Sequence, residues 1–198
     1  MKREAALPAR AKALVDFWFG VEGDPLRERH REIWFEKKEK FDASLRERFS
    51  ADHELAVKGA LDNWELSPAG ALALLLLLDQ IPRNIFRGSS RAYASDEKAR
   101  EVADRAIRRG FDLEVPPAWR IFFYLPFVHS EDLADQRRAL LLFAALPAGP
   151  ERSKEPSPVE RHALIIARFG RFPHRNAVLG RVSTADEVAF LTEPHSSF

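Results

Sequence analysis

The sequence predicts an all-α fold of stacked helical hairpins, and three observations carry that reading. No period-2 alternation of apolar and polar residues is visible anywhere in the 198 residues. The stretch Ser67 to Gly88 begins as a capped, very apolar helix, with Ser67 able to accept first-turn amides and Pro68 fitting the first helical position. About 90 residues later, Ser157 to Gly180 repeats the pattern: Ser157-Pro158 echoes Ser67-Pro68, Arg175-Asn176 echoes Arg83-Asn84, and Asp186-Glu187 echoes Asp96-Glu97. Self-similarity at this period in a helical chain predicts an internal duplication, in which each unit buries its apolar face against a neighbour. The expectation is one helical domain over 1–198, in two related halves of roughly 1–110 and 111–198.

Each element follows from local chemistry. Residues 8–19 predict an opening helix that Gly20 ends, and Gly23-Asp24-Pro25 a turn. Residues 28–49, apolar at Ile33, Trp34, Phe41, Leu45 and Phe49, suit one long or broken amphipathic helix, after which Ser50 can cap a segment to about Trp64. The run Ala71 to Leu78 predicts a buried helix, with Asp79 and Gln80 in its last turn and Pro82 as its stop. Ser95 caps a helix through Arg109 that Gly110 ends, and Pro116-Pro117 starts a short aromatic helix, Trp119 to Tyr124, stopped by Pro126. His129 to Asp132 leads into a further helix to about Leu146, with Ser130 its natural cap. Residues 147–156 read as a linker. A capping box from Ser157 to Glu160 opens the repeated helix, and a final helix runs from Ser183-Thr184 to Leu191, with a tail that docks through Phe198 or frays.

Composition narrows the function. Without cysteine there is no thiol catalysis, disulfide framework or Cys-based zinc site. The longest apolar run is far short of the ~20 residues that span a bilayer, and the N-terminus lacks an apolar signal core, so a cytoplasmic protein with no membrane partner is expected. Net charge is +1, which argues against nucleic acid as the partner. Charge is locally uneven, however: residues 161–185 hold five arginines and no acid. Amide side chains are scarce, and Gln80, Asn84, Gln136 and Asn176 all stand in Asp-Gln or Arg-Asn pairs, which suggests specific hydrogen-bonding duties.

Three groups of residues could carry chemistry. Asp79, Gln80, Arg83, Asn84 and Arg87 gather at the end of the most apolar helix, where arginine offers planar, bidentate donors to a carboxylate or phosphate. Against that, Asp79 can simply pair with Arg83 while Asn84 caps a turn. Arg168, Arg171, His174, Arg175, Asn176 and Arg181 form the second group, to be matched either by acids elsewhere in the fold, such as Asp79, Glu131 or Asp135, or by an anionic ligand. In the third, His129 could act as acid or base beside Glu131, with His174 and Asp79 as further catalytic candidates, yet Ser130 and Glu131 also suit a helix start. No nucleophile elbow is present. His129, Glu131, His162, His174 and Asp79 show no metal-ligand spacing and no phosphate loop occurs, so neither metal nor cofactor is expected.

The strings L-D-Q-I-P-R-N-I-F-R-G at 78–88, F-F-Y-L-P-F-V-H-S-E at 122–131 and R-F-G-R-F-P-H-R-N at 168–176, with L-G-R at 179–181, resemble the bacterial family designated domain of unknown function 924. The resemblance runs from Val15-Asp16-Phe17-Trp18 to the final helix. It implies an all-helical fold similar to tetratricopeptide-type superhelices, and carries neither an activity nor catalytic residues. Such scaffolds present concave binding surfaces. The residues thus favour a module binding an anionic small molecule or acidic peptide in an arginine-lined cleft, through Asp79, Gln80, Arg83, Asn84, Arg87, Arg171, His174, Arg175, Asn176 and Arg181. The alternatives are an enzyme on a small anionic substrate with a His/carboxylate pair, and RNA binding through 161–181.

Overall fold

The structure is a computed structural model that describes residues 7–147 and 156–197, so the expected linker lies almost wholly outside the described residues, as does Phe198. Every regular element among the described residues is helical: α1 (Ala9–Phe19), α2 (Glu39–Val57), α3 (Pro68–Leu75), a π-helical turn (Leu76–Gln80), α4 (Ile81–Ile85), α5 (Asp96–Arg108), α6 (Pro117–Val128), α7 (Leu133–Ala144), α8 (Pro158–Phe169) and α9 (Ala185–Phe190), with short 3-10 turns between them. The chain divides into two compact units, Met1–Arg87 with Arg91–Pro126, and Gly88–Ser90 with Phe127–Phe198. None of these helices is long and apolar enough to cross a membrane.

The first unit is built round α3. Ser67 accepts from the Gly70 amide and Pro68 takes the first turn, as the sequence predicts. Leu72 to Leu78 are at most 1% exposed, because α1 and α5 pack on α3 and α2 packs on α4. Burial on this scale contributes about 1.5–3 kcal/mol per leucine.

Pro82 does not stop the helix. The chain instead widens by one residue per turn over Leu76–Gln80, with the Ile81 amide reaching back to Leu76 O, and winds on to Ile85. The reason lies in the carbonyls. Proline has no N–H for Leu78 O and its ring crowds that carbonyl. The π turn swings the carbonyls outward, and side chains take them: His53 Nδ1 donates to Leu77 O (2.8 Å), Ser95 Oγ to Leu78 O (2.6 Å) and Arg83 Nη1 to Asp79 O (2.8 Å). Because a carbonyl can only accept, His53 carries its proton on Nδ1. Burial holds that ring below the usual histidine pKa, against the pull of Leu77 O.

Other expectations change for similar reasons. Residues 28–49 break into a 3-10 turn (Glu32–Trp34) and α2, which absorbs Ser50: its hydroxyl bonds back to Arg46 O and caps nothing. Ser95 likewise spends its hydroxyl on Leu78 O and not on the start of α5. Helix α6 includes Pro126 and runs to Val128. Its aromatic face locks the first unit: Phe19 stacks on Trp119 (4.1 Å), Trp34 meets Phe122 edge-on (5.0 Å), and the indole N–H groups of Trp34 and Trp119 donate to Trp18 O and Arg27 O.

The second unit has a smaller core of Ile165, Ile166, Phe172 and Phe190. Helix α7 is capped by Asp132, whose carboxylate accepts the Ala134 and Asp135 amides. Ser130 donates instead to Asp135 and is not the cap. The capping boxes of α8 (Ser157, Glu160) and α9 (Thr184, Glu187) form as the sequence predicts for the first, and Gly170 ends α8 in a left-handed conformation, φ 67°.

Candidate functional site

The arginine turn of the first unit is assembled as a closed ion-pair network. Arg83 clasps Asp96 with two 2.9 Å bonds and lies 3.2 Å from Asp79, whose other oxygen accepts from Gln80 Nε2 (2.5 Å). Burial opposes the guanidinium charge, but Asp79 and Asp96 overcome it and raise the Arg83 pKa. Asn84 and Arg87 both donate to Asp42, at 2.7 Å each. Asp79 is 1% exposed. Asp42 completes this network, and no local sequence signal marks it. Asp96 was visible as half of the acidic pair that follows each arginine turn.

In the second unit the acids lacking within 161–185 arrive from either side. Glu187 receives Arg171 Nε and Nη2 (2.6 and 2.7 Å), the Thr184 amide and Asn176 Nδ2. The Arg171 bonds, chiefly, with Thr184 and Asn176, carry its pKa down to about 2 against the cost of burial. Glu131 receives Arg181 Nη1 and Nη2 (2.6 and 2.9 Å) and the Phe172 amide (2.8 Å). Burial works to raise the Glu131 carboxyl, and these donors outweigh it and lower the pKa. Held in this way, Glu131 ties Arg181 to the Phe172 backbone.

A further group gathers around one ring. Phe172, fully buried, has the Arg175 guanidinium 4.4 Å from its centroid, His162 edge-on at 5.4 Å and His174 at 5.6 Å, and His129 stands 6.1 Å from His162. Arg175 and His162 are buried, while His129 and His174 are half-buried. His162 donates Nδ1–H to Pro158 O (2.7 Å), so in the neutral ring Nε2 carries no proton. Burial first, and then the positive surroundings of His129, Arg175 and His174, push its pKa down to about 3.

His129 is set by its backbone. Gln136, fully buried on α7, donates its amide hydrogens to Phe127 O, Val128 O and Ser130 O and so fixes the end of α6 on both sides of the histidine. All four paired amides singled out in the sequence thus hold specific hydrogen bonds. Of the residues singled out in the sequence, the structure brings together His129, Glu131, His162, His174, Arg175 and Arg181, and adds Phe172. Among the described residues no group of three or more His, Asp or Glu side chains is arranged to hold a metal ion.

Residues 14–195 match a family described as a bacterial protein of unknown function, DUF924. A solved structure of a protein of unknown function, ATU0120, from Agrobacterium tumefaciens is 43% identical, with 92% of this chain and 96% of that one covered and a TM-score of 0.79. No curated protein matches the chain.

Proposed function

We propose a function from one premise: the chain belongs to the bacterial DUF924 family. On this reading it is a binding module for a small anion, a phosphate or carboxylate compound. The anion sits in the second unit at the cluster of Arg175, His129, His162 and His174, on a scaffold of tetratricopeptide-like hairpins whose two halves descend from a duplication.

One observation carries the reading. A buried arginine lies 4.4 Å from the centre of the Phe172 ring, His162 and His174 lie beside the same ring, and His129 stands 6.1 Å from His162, so four nitrogen-bearing side chains that can donate to an anion gather in one place. A buried guanidinium in a low-dielectric setting favours an anion beside it. The arginines of the first unit, Arg83 and Arg87, act differently, since each neutralises a buried aspartate and holds the fold.

The test is thermal unfolding of the full chain with inorganic phosphate and a short dicarboxylate. Ligand at a hundredfold excess over Kd stabilises by about 2.7 kcal/mol. Arg175→Gln and His129→Ala should each remove the gain, whereas Arg87→Gln should lower the midpoint but leave the gain in place. Equal stabilisation of Arg175→Gln and the parent chain would refute the site.

A further inference from the structure

A cavity of about 460 Å³ opens in the second unit between the last turn of α8 and the first turn of α9, lined by Arg168, Phe169, Arg171, Thr184, Asp186 and Glu187. That volume lies within the roughly 300–1,000 Å³ of small-molecule sites. None of its lining residues belongs to the Phe172 cluster. Two of its four charges hold each other. Glu187 accepts from Arg171 Nε and Nη2, from the Thr184 amide and from Asn176 Nδ2, while Arg171 Nη2 also reaches Val182 O (2.9 Å). This pair forms a fixed and neutral wall.

The other two charges are unmatched. Among the described residues neither the Arg168 guanidinium nor the Asp186 carboxylate pairs with an opposite charge, although both line the same cavity. Arg168 is held in place without spending its donors. Its guanidinium carbon lies 4.6 Å from the centre of the Phe169 ring and 5.6 Å from that of Phe190, and the two rings pack 5.0 Å apart. Contact with a ring engages the face of a guanidinium and leaves the N–H groups at its edge for a planar acceptor.

Charge selects the ligand. An anion meets Arg168 but is opposed by Asp186, and a cation meets Asp186 but is opposed by Arg168. A molecule that carries both charges satisfies both groups. We infer that this cavity binds a small zwitterion, a free α-amino acid, with its carboxylate on Arg168 and its ammonium on Asp186. The amino acid has an uncharged side chain, because Arg171 and Glu187 already neutralise each other.

The experiment is isothermal titration calorimetry of the full chain with L-leucine, L-phenylalanine and L-glutamine, which present an aliphatic, an aromatic and an amide side chain. Saturable binding of at least one of them is expected. For that amino acid, Arg168→Gln and Asp186→Asn should each weaken binding about tenfold, the effect of losing one charge-assisted contact. Both residues are exposed, so the variants should keep the parent's circular dichroism and melting temperature. Its deaminated acid and its decarboxylated amine should likewise bind about tenfold more weakly than the amino acid. Absence of saturable binding by all three, equal affinity for the deaminated acid, or variants that bind like the parent chain overturns the inference. So does binding that Arg175→Gln abolishes and Arg168→Gln spares, because the amino acid would then sit at the Phe172 cluster.

Discussion

Ser95→Ala isolates the chemistry that lets a helix pass through Pro82. The Ser95 hydroxyl, 3% exposed, supplies Leu78 O with the hydrogen bond that residue 82 cannot give. Its removal strands a carbonyl inside the leucine core, where Leu78 is fully buried. An orphaned buried acceptor costs about 1–3 kcal/mol. At about 2–4 °C per kcal/mol for a chain of this size, the first unit should melt roughly 4–8 °C lower for a mid-range cost of about 2 kcal/mol. All four tryptophans, Trp18, Trp34, Trp64 and Trp119, lie in that unit, so urea unfolding followed by tryptophan fluorescence reports on it selectively.

The second half of the experiment is a double-mutant cycle with Pro82→Ala. An alanine amide can donate to Leu78 O, so Ser95→Ala should cost less in the Pro82→Ala background, by about 1 kcal/mol. Ser95→Thr, which keeps the hydroxyl, should sit between parent and alanine variant. A loss for Ser95→Ala below about 0.5 kcal/mol, or no coupling with Pro82→Ala, would mean that the serine does not stand in for the missing amide.

Three further outcomes are expected. The second unit should lose stability in acid through His162: its folded pKa of about 3 lies below its ordinary 6.5, so the unfolded chain binds the proton more readily. Stability is then complete above about 6.5 and falls as pH drops toward 3, a slope that His162→Gln should flatten in pH-dependent denaturation followed by circular dichroism. Asp42→Ala, which leaves the buried Asn84 amide without its acceptor, should lower the tryptophan-detected free energy by about 1–3 kcal/mol; an unchanged urea midpoint would refute the role given to Asp42. Gly70→Ala should destabilise although alanine is the better helix former by about 0.8–1 kcal/mol, because the added Cβ would meet the Trp64 carbonyl oxygen at 2.2 Å and the backbone has to move; a rise in melting temperature would contradict this.

How much was readable in the chain depended on distance along it. Local effects were in plain view. The Ser67-Pro68 start, the Ser157–Glu160 box and the Gly110 end each depend on a few adjacent residues, and each is found where the sequence puts it. The paired amides announced that they had partners, though not which ones. The continuation through Pro82 was hidden, because it depends on Ser95 and His53, 13 and 29 positions away along the chain, finding the freed carbonyls. The family resemblance was carried by strings around the same turns, and residues 14–195 bear it out.

By itself, then, the sequence determined an all-helical protein with a leucine helix at its heart, since apolar periodicity, caps and breakers act within a turn or two of the residues that encode them. Only the tertiary structure decided what the arginines do. Charge pairing is a matter of a few ångströms in space, and Asp42, Asp96, Glu131 and Glu187 reach Arg87, Arg83, Arg181 and Arg171 across separations of up to 50 residues. Those four pairings turned a chain rich in candidate anion-binding arginines into one where Arg83, Arg87, Arg171 and Arg181 each hold a carboxylate of the fold.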